Sequence, residues 1–311
     1  CHWPVGASDR TTNYVNAMLS ALVSALALPA TDYAGEFTAW KAQHGKSYSS
    51  ADAEAKAFSA FAHNHETILT HNAQGNSYTL GHNEFSDLTA DEFFAPRLGY
   101  AMNTTTRDTF SRNVHKPNKL KSPSASVNWV TAGAVTPVKN QASCGSCWAF
   151  SAVGAIEGSY FLAQDKLISF SEQDLVSCDT TDSGCNGGLM DNAFKWVESN
   201  GIAAEDAYPY TSGSGSVATC DASKSGNPVA TITGYTDVTS KDKAALMSAV
   251  EQQPVSIAIQ ADRSVFQMYK SGVMNSPRCG QQLDHGVLVV GYDSSGDSPY
   301  WLPKNPWGAT G

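Results

Sequence analysis

Two features are scarce in this sequence: long apolar runs and positive charge. No apolar run approaches the roughly eighteen residues that a membrane-spanning helix requires, so no segment is predicted to span a bilayer. Lysine and arginine number 20 against 29 aspartates and glutamates, a formal net charge of -9. Because nucleic acids and anionic membranes repel such a chain, we expect neither as a partner. With 41% hydrophobic and 16% charged residues, the 311-residue chain can bury one large core or two modest ones.

Histidine is scarce in the later part of the sequence. Of eight histidines, only His285 lies beyond residue 115; the others are His2, His44, His63, His65, His71, His82 and His115. His285 begins an apolar run, HGVLVVGY, that is typical of a buried strand. A histidine in such a strand is most often a core residue with a satisfied hydrogen bond. If a nucleophile in this part of the chain is activated by an imidazole, His285 is the single candidate for that imidazole.

A cysteine stands where a helix is predicted to begin, in the stretch NQASCGSCWAFS at residues 140–151. Beyond Cys147, apolar side chains recur every fourth residue, at Trp148, Ala152, Ile156 and Tyr160, and this predicts an amphipathic helix. A thiol in the first turn lies at the positive end of the helix dipole, so we expect its pKa below the roughly 8.5 of free cysteine. The alternatives are a buried structural cysteine and one half of a redox pair with Cys144.

Four motifs occur along the chain: QASCGSCW from Gln141, GCNGGLM from Gly184, LDHG from Leu283 and YWLPKNPWG from Tyr300. Together they resemble the papain-type cysteine proteases, in particular the cathepsin L group, over roughly residues 35–311. His285 follows Cys147 by about 140 residues, which is the papain-like spacing. The resemblance implies an α+β fold: a papain-like pair of subdomains, one helical and one β-barrel-like, preceded by a helical inhibitory pro-segment.

The resemblance implies a role for each residue of the catalytic site. Cys147 is the nucleophile of a cysteine endopeptidase, and His285 takes its proton and later protonates the leaving amine. Asn305 orients the imidazole by accepting a hydrogen bond from one ring nitrogen. Gln141 donates its amide, with the backbone N–H of Cys147, to the developing oxyanion. Trp307 shields the hydrogen bond between His285 and Asn305 from water. Taken alone, Gln141 is equally typical of a surface glutamine.

The substrate site is implied in the same way. Gly187 and Gly188 lack side chains where an extended peptide approaches the backbone, although such glycines also suit a plain turn. The pocket for the second residue before the scissile bond is lined by Leu189, Met190, Ala258 and Gly286. Because these residues are apolar or small, we expect a preference for a bulky hydrophobic residue there and poor acceptance of arginine.

Cysteine pairing follows from the resemblance as well. It implies disulfides between Cys144 and Cys185 and between Cys178 and Cys220, with the partner of Cys279 beyond the end of this chain. A zinc site is the alternative, but the Cys-x-x-Cys spacing does not recur. We expect no metal and no cofactor.

The chain is predicted to divide into five parts. Residues 1–17 are a leader or non-native residues, and 18–30 form a signal peptide, for which a buried helix is the alternative. Residues 31–100 form the pro-segment, and 101–123 form a polar linker with the processing site. Residues 124–311 form the peptidase domain, which we expect to be incomplete at its C-terminus. A signal peptide places the protein in the secretory pathway, bound for a lysosome, a vacuole or the exterior.

The pro-segment carries two patterns of the family. The first is a helical series met by Phe61, Asn64, Ile68 and Asn72, with Ala53 and Ala57 where the family has Glu and Arg. The second is complete at Gly81, Asn83, Phe85 and Asp87. An unrelated helical hairpin is the alternative. By resemblance this segment inhibits its own peptidase domain, and we hypothesise that charging its histidines near pH 6 loosens it.

Within the peptidase domain, periodicity predicts a helix from Met190 to Val197, stopped at Gly201, and a helix over residues 241–250 capped by Ser240. Strands are predicted over 229–233, 255–259, 285–292 and 300–304. Pro303 in a strand is expected only at an edge or a bulge. Pro306 restricts Asn305 toward extended geometry.

Three classes of function are compatible with these features. The first is a proenzyme of a monomeric thiol endopeptidase that acts on proteins or peptides. The second is a thiol-disulfide oxidoreductase using Cys144 and Cys147. The third is an inactive homologue that inhibits or binds proteases through its pro-segment.

Overall fold

The computed structural model describes residues 32–100, 113–117, 123–276 and 279–309. The predicted leader at 1–17, the signal peptide at 18–30 and most of the linker lie outside the described residues. Within the part that is described, no helix has both the length and the apolar character that crossing a bilayer would require.

The N-terminal unit is a pair of packed helices, α1 (Tyr33–His44) and α2 (Ala51–Asn72). Asp32 caps α1 by accepting from Gly35 N, and Ser50 caps α2 by accepting from Ala53 N. The two helices share a hydrophobic core that contains Phe37, Trp40, Ala57 and Phe61. Ala57 therefore fills a buried position where the family has Arg, and an ion pair between Lys41 and Glu54 ties the two helices instead.

Two asparagines of α2 fasten the chain that follows. Asn72 Nδ2 donates to Leu80 O at 2.9 Å, and its Oδ1 accepts from Leu80 N at 2.9 Å. Asn64 Nδ2 donates to the carbonyls of Ser86 and Leu88 at 3.0 and 2.9 Å. These bonds hold strand β1 (Tyr78–Leu80) and the turn before helix α3 (Ala90–Phe94).

The helical part of the chain after residue 123 is built around α4 (Cys147–Gln164). It also contains α5 (Glu172–Cys178), α6 (Met190–Asn200), α7 (Ala222–Ser225) and the 3-10 turns Gly184–Asn186 and Ser212–Ser214. Its core contains Trp148, Val153, Ile156, Phe170, Leu175, Val197 and Ile202. The disulfides Cys144–Cys185 and Cys178–Cys220 are both formed, with the pairing that the family resemblance implied. Cys279 is disulfide-bonded as well, so the expectation that its partner lies beyond the end of this chain is wrong.

The sheet part contains β2 (Ser126–Asn128), β3 (Val255–Ile259), β4 (Tyr269–Gly272), β5 (His285–Asp293) and β6 (Tyr300–Lys304), with α8 (Lys243–Val250) and α9 (Ser264–Gln267) between strands. β5 pairs antiparallel with β2, β3 and β6. β4 pairs instead with β1 of the N-terminal unit. The predicted α+β fold with two subdomains behind a helical pro-segment is confirmed.

Helix α4 lies directly against β5, and side-chain hydrogen bonds fix the contact. Ser151 Oγ donates to Val287 O at 2.8 Å, and Ser256 Oγ donates to Ser151 O at 2.8 Å. Gly286 is the point of closest approach, because a Cβ there would lie 3.1 Å from Cys147 O. This packing brings the start of α4 beside the start of β5.

Two predicted elements are wrong in part. Residues 229–233 form no strand; Ala230 makes an isolated bridge to Ile202, and its neighbourhood packs on the helical core. The helix predicted over 241–250 begins at Lys243, because Lys241 has a positive φ of 63° and Asp242, not Ser240, accepts from Ala245 N.

Pro303 lies where a strand tolerates proline. β6 pairs with β5 alone among the described strands, and the register shifts between Val289 and Gly291, beside the partner of Pro303. The expectation of an edge or bulge for Pro303 is confirmed.

Candidate active site

Cys147 is the first residue of α4 and is fully buried. It is the free cysteine among the described residues. Cys144 is bound to Cys185, so it is not available for a reversible bond to Cys147. This pairing contradicts the thiol-disulfide oxidoreductase interpretation.

His285 opens β5, opposite Ile259 of β3, and is fully buried. Its Nε2 lies 2.8 Å from Asn305 Oδ1, so the Nε2–H tautomer donates to the amide oxygen. Its Nδ1 is buried and has no hydrogen-bond partner among the described residues. A ring held at one nitrogen and free at the other is arranged to exchange a proton with a neighbouring group.

Trp307 closes this side of the site. Its ring lies 4.7 Å from the His285 ring at 34°, and it is 1% exposed. Phe93 of α3 meets Trp307 edge to face at 5.0 Å. The His285 ring therefore packs against a buried indole, which Phe93 contacts in turn.

Gln141 is fully buried, so the surface interpretation of this glutamine is wrong. Its Nε2 donates to Arg97 O at 2.8 Å and to Cys144 O at 2.6 Å. Its backbone N–H donates to Pro306 O at 2.9 Å, which links the Gln141 loop to the residue after Asn305. Pro306 does not prevent Asn305 from reaching His285.

The chain after α3 crosses the site. Gly99 O accepts from Gly188 N at 2.9 Å, and Tyr100 N donates to Asp284 O at 3.1 Å. A Cβ at Gly99 would lie 1.8 Å from Gly145 O, so only glycine fits this crossing. The cleft between the helical part and the sheet part is therefore filled by the protein's own chain segment after α3.

Arg97 anchors this crossing segment. Its guanidinium lies 4.9 Å from the Phe85 ring and 4.6 Å from the Phe93 ring, and Nη1 donates to Phe93 O at 2.8 Å. Arg97 and Gly99 were not predicted from the sequence, because both lie outside the family patterns that identified the pro-segment. The one sequence feature that could have indicated this crossing is the glycine at position 99, in the segment that follows α3.

The electrostatics of this covered state differ from the prediction. Burial raises the pKa of the Cys147 thiol to about 11, against hydrogen bonds from the backbone of Gly286, Gly99 and Trp148. Burial likewise lowers the pKa of His285 to about 4, and the Asn305 bond only partly opposes this. The expectation of a thiol pKa below about 8.5 is wrong here, because desolvation of a thiolate outweighs the helix dipole. Both groups are neutral at pH 7.

The predicted substrate residues lie on the two facing walls of the cleft. Gly187 and Gly188 are buried, and Gly188 contacts the crossing chain as described. Ala258 pairs with Gly286 across β3 and β5, and Met190 Sδ would lie 3.3 Å from a Cβ at Gly286. Ala258, Met190 and the pro-segment's Tyr100 pack in one apolar cluster. Leu189 follows Gly188 on the same wall, with its N–H bound to Asp182 Oδ1.

Comparison with known proteins agrees with this geometry. The model of the papain family cysteine protease matches residues 123–311, and that of the cathepsin propeptide inhibitor domain (I29) matches residues 37–93. The senescence-specific cysteine protease SAG39 of Oryza sativa subsp. japonica is 45% identical over 278 residues, which cover 87% of this chain and 79% of that protein. The KDEL-tailed cysteine endopeptidase CEP2 of Arabidopsis thaliana is 43% identical over 277 residues, covering 87% and 75%.

Solved proenzymes share the fold. Digestive procathepsin L 3 of Tenebrio molitor larval midgut superimposes with a TM-score of 0.79 at 37% identity, covering 90% of this chain and 91% of that one. A recombinant stem bromelain precursor gives a TM-score of 0.81 at 36% identity, covering 89% and 88%.

A cleft between helical and sheet subdomains, with a free cysteine against Gly286 at the start of β5 and an inhibitory segment across it, defines the zymogen of a cysteine endopeptidase. The chain belongs to the papain family of cysteine proteases, with a cathepsin-type propeptide before the peptidase domain.

Proposed function

We propose that the processed enzyme hydrolyses peptide bonds through a thioester on Cys147. The Cys147 sulfur attacks the scissile carbonyl carbon, and His285 holds the thiol proton and then gives it to the leaving amine. Water next attacks the thioester with His285 as base, releasing the acid and the free thiol. The observation that carries this proposal is the 2.8 Å bond from His285 Nε2 to Asn305 Oδ1, which leaves Nδ1 free.

Gln141 is the proposed donor to the oxyanion, together with the backbone N–H of Cys147. The support is its amide, which already donates to a backbone carbonyl from Arg97 at 2.8 Å. A substrate carbonyl that replaces Arg97 O meets the same donor. Gly188 N, which now donates to Gly99 O, is proposed to pair with the substrate backbone in the same manner.

The proposed specificity is a bulky hydrophobic or aromatic side chain at the second position before the scissile bond. Leu189, Met190, Ala258 and Gly286 supply apolar surface and no charge there. An arginine in this pocket loses its hydration without gaining a counter-ion, which costs several kcal/mol. The packing of Tyr100 against the same apolar cluster supports an aromatic occupant.

Removal of the pro-segment, residues 31–100, by cleavage in the linker at 101–123 is proposed to release the peptidase domain that begins at residue 124. The bonds that Gly99 and Arg97 make to Gly188 and Gln141 support inhibition by occupation of the cleft. Two disulfides fit an oxidising compartment on the secretory route, with a lysosome, a vacuole or the exterior as destination.

Active-site labelling tests the mechanism. After processing at acidic pH, an epoxysuccinyl reagent is expected to add once, at Cys147, and His285→Ala is expected to abolish both labelling and peptide cleavage. Lys166→Ala, at an exposed residue that follows α4 and remains in the processed enzyme, is the control. A chain that inhibits related proteases but neither labels nor cleaves would instead support the inhibitor or binder alternative.

A further inference from the structure

Two aspartates lie behind the helical wall of the cleft, on the loop between α5 and the 3-10 turn Gly184–Asn186. Asp179 is buried, at 4% exposure, and its N–H ends α5 by donating to Leu175 O at 3.0 Å. Asp182 Oδ1 accepts from Leu189 N at 3.0 Å and from Asn192 Nδ2 at 2.9 Å. One carboxylate oxygen therefore fastens the cleft wall to α6.

Asp182 also lies directly beneath Gly188. A Cβ at Gly188 would lie 2.6 Å from Asp182 Cγ and 2.6 Å from the Trp148 ring, so the Gly188 backbone rests on these two side chains. The Gly188 N–H points into the cleft, where it donates to Gly99 O at 2.9 Å. The position of Asp182 thus sets the positions of the wall residues Gly188 and Leu189.

The remaining oxygens of the two aspartates have no donor. Oδ2 of Asp179 and Oδ2 of Asp182 are both buried and unpartnered among the described residues. Two ionised carboxylates in contact repel strongly, whereas a pair that shares one proton forms a short hydrogen bond. A proton between these oxygens supplies the missing partner to both.

Among the described residues, Asp179 is the charged group that acts on Asp182, and α6 contributes the neutral amide of Asn192. Thr181 N donates to Asp179 Oδ1 at 2.8 Å. The nearby cysteines of α5 and of the 3-10 turn are in disulfides and do not titrate. Within the part of the chain that the structure describes, no cation therefore acts on Asp182 to offset the repulsion between two ionised carboxylates.

We propose that Asp179 and Asp182 share one proton, and that this carboxyl pair is a positioning device for the substrate-facing backbone of Gly188 and Leu189. The inference deepens the proposed function, since it rests on Gly188 pairing with the substrate. Neither aspartate touches the reacting atoms.

A consequence is a cleft wall that depends on pH. Burial, followed by the charge of Asp179, raises the pKa of Asp182 from 3.8 to about 7. Because the pKa of Asp182 is higher in the folded than in the unfolded chain, its protonated form stabilises the fold more than its ionised form. The cleft wall is therefore held in place at a pH well below 7, and it loosens as the pH rises through 7. As the pH rises through 7, KM for peptides is expected to increase by about fivefold, while kcat stays nearly constant. An increase of this size corresponds to the loss of about one hydrogen bond.

Variants of the processed enzyme separate this role from simple structural support. Asp182→Asn keeps the acceptor for Leu189 N and places a permanent donor toward Asp179, so its KM is expected to stay low from pH 5 to 8. Asp182→Ala is expected to raise KM at every pH. Asp206→Asn, an exposed aspartate, is the control and should keep the parent profile. A parent KM that does not change with pH, or an unchanged profile in Asp182→Asn, overturns the proposal.

A second measurement needs neither turnover nor these variants. In the full-length Cys147→Ala chain, which cannot process itself, carbon-13 NMR of the aspartate carboxyls should show Asp182 titrating near neutral pH, and Asp179→Asn should move that titration to lower pH. An Asp182 titration near pH 4, or one that Asp179→Asn leaves unchanged, would overturn the shared proton. If the parent enzyme labels at Cys147 yet cleaves no peptide, the proposed function fails while this NMR result still decides the present inference.

Discussion

The side-chain amide of Gln141 donates to the carbonyl oxygen of Arg97 at 2.8 Å, so a donor of the peptidase domain is bound to the segment that follows α3. Arg97 cannot withdraw easily, because its guanidinium is buried between Phe85 and Phe93. Inhibition and the proposed oxyanion stabilisation therefore use the same hydrogen-bond donor.

Replacing this donor is expected to affect catalysis strongly. In processed enzyme, Gln141→Ala should lower kcat by about a hundredfold, the usual cost of one oxyanion donor, with a much smaller change in KM. Gln141→Glu, of equal size but without the donor, should behave like Gln141→Ala. Steady-state kinetics on one peptide measure this, with burst titration to count active sites. A kcat within twofold of the parent would remove Gln141 from the mechanism.

The raised thiol pKa predicts how the precursor reacts. With a pKa of about 11, roughly one Cys147 in ten thousand is ionised at pH 7 in the covered state. Iodoacetamide should therefore modify the precursor at least a hundredfold more slowly than the processed enzyme at pH 6, and the precursor rate should climb steadily toward pH 10. Mass spectrometry of the adduct measures both rates, and Cys147→Ser gives the background from other cysteines. Equal rates would show that the pro-segment does not bury the sulfur in solution.

A histidine pair in the pro-segment predicts loss of stability in acid. His65 Nδ1 lies 2.9 Å from His82 Nε2, and the His82 ring stacks on Phe61 at 4.4 Å. Burial, with charge repulsion from His65 and His44, lowers the pKa of His82 from 6.5 to about 4. Because the folded pKa lies below the unfolded value, stability is complete above pH 6.5 and falls as pH drops toward 4.

The variant His82→Gln is expected to weaken this dependence. In the Cys147→Ala precursor, the fall in melting temperature between pH 7 and pH 4.5 should be smaller by about 3 °C than in the parent. His63→Gln should keep the parent behaviour, because His63 lies outside this pair. Calorimetry across this pH range compares the three chains. If the melting temperature falls equally with pH in His82→Gln and in the parent, groups other than His82 cause the loss of stability in acid.

Much of this structure could be predicted from local sequence, and the parts that could not have a common cause. The helix at Cys147, the helix at Met190 and the strand at His285 follow from apolar periodicity, which burial enforces. The thiol pKa could not be predicted, because it depends on a segment about 50 residues earlier that covers the sulfur. The carboxyl pair of Asp179 and Asp182 was missed although the two residues are three apart in sequence, because the packing of Asp182 against Gly188 exists only in the folded chain.

The exact first residue of the helix at Lys243 could not be predicted from the sequence. Ser240 and Asp242 are both good caps, so sequence alone does not choose between them. The positive φ of Lys241 excludes that residue from the helix and leaves Asp242 as the cap. Residues 229–233 show a second limit, because β-branched residues that pack on a helical core have the same pattern as a strand.

The apolar pocket predicts how specificity responds to charge. Ala258 lies on β3 opposite Gly286, in the cluster that also contains Met190. Ala258→Glu places a carboxylate where an arginine side chain of the substrate would otherwise find no counter-ion. We compare kcat/KM for a peptide with arginine at the second position before the scissile bond with kcat/KM for the same peptide with phenylalanine there. The arginine-to-phenylalanine ratio should rise about a hundredfold, which corresponds to a few kcal/mol of new charge pairing. Ala258→Gln, equal in size and neutral, should lower phenylalanine cleavage without gaining arginine cleavage. If both variants shift the ratio equally, bulk and not charge governs this pocket, and the proposed preference loses its physical basis.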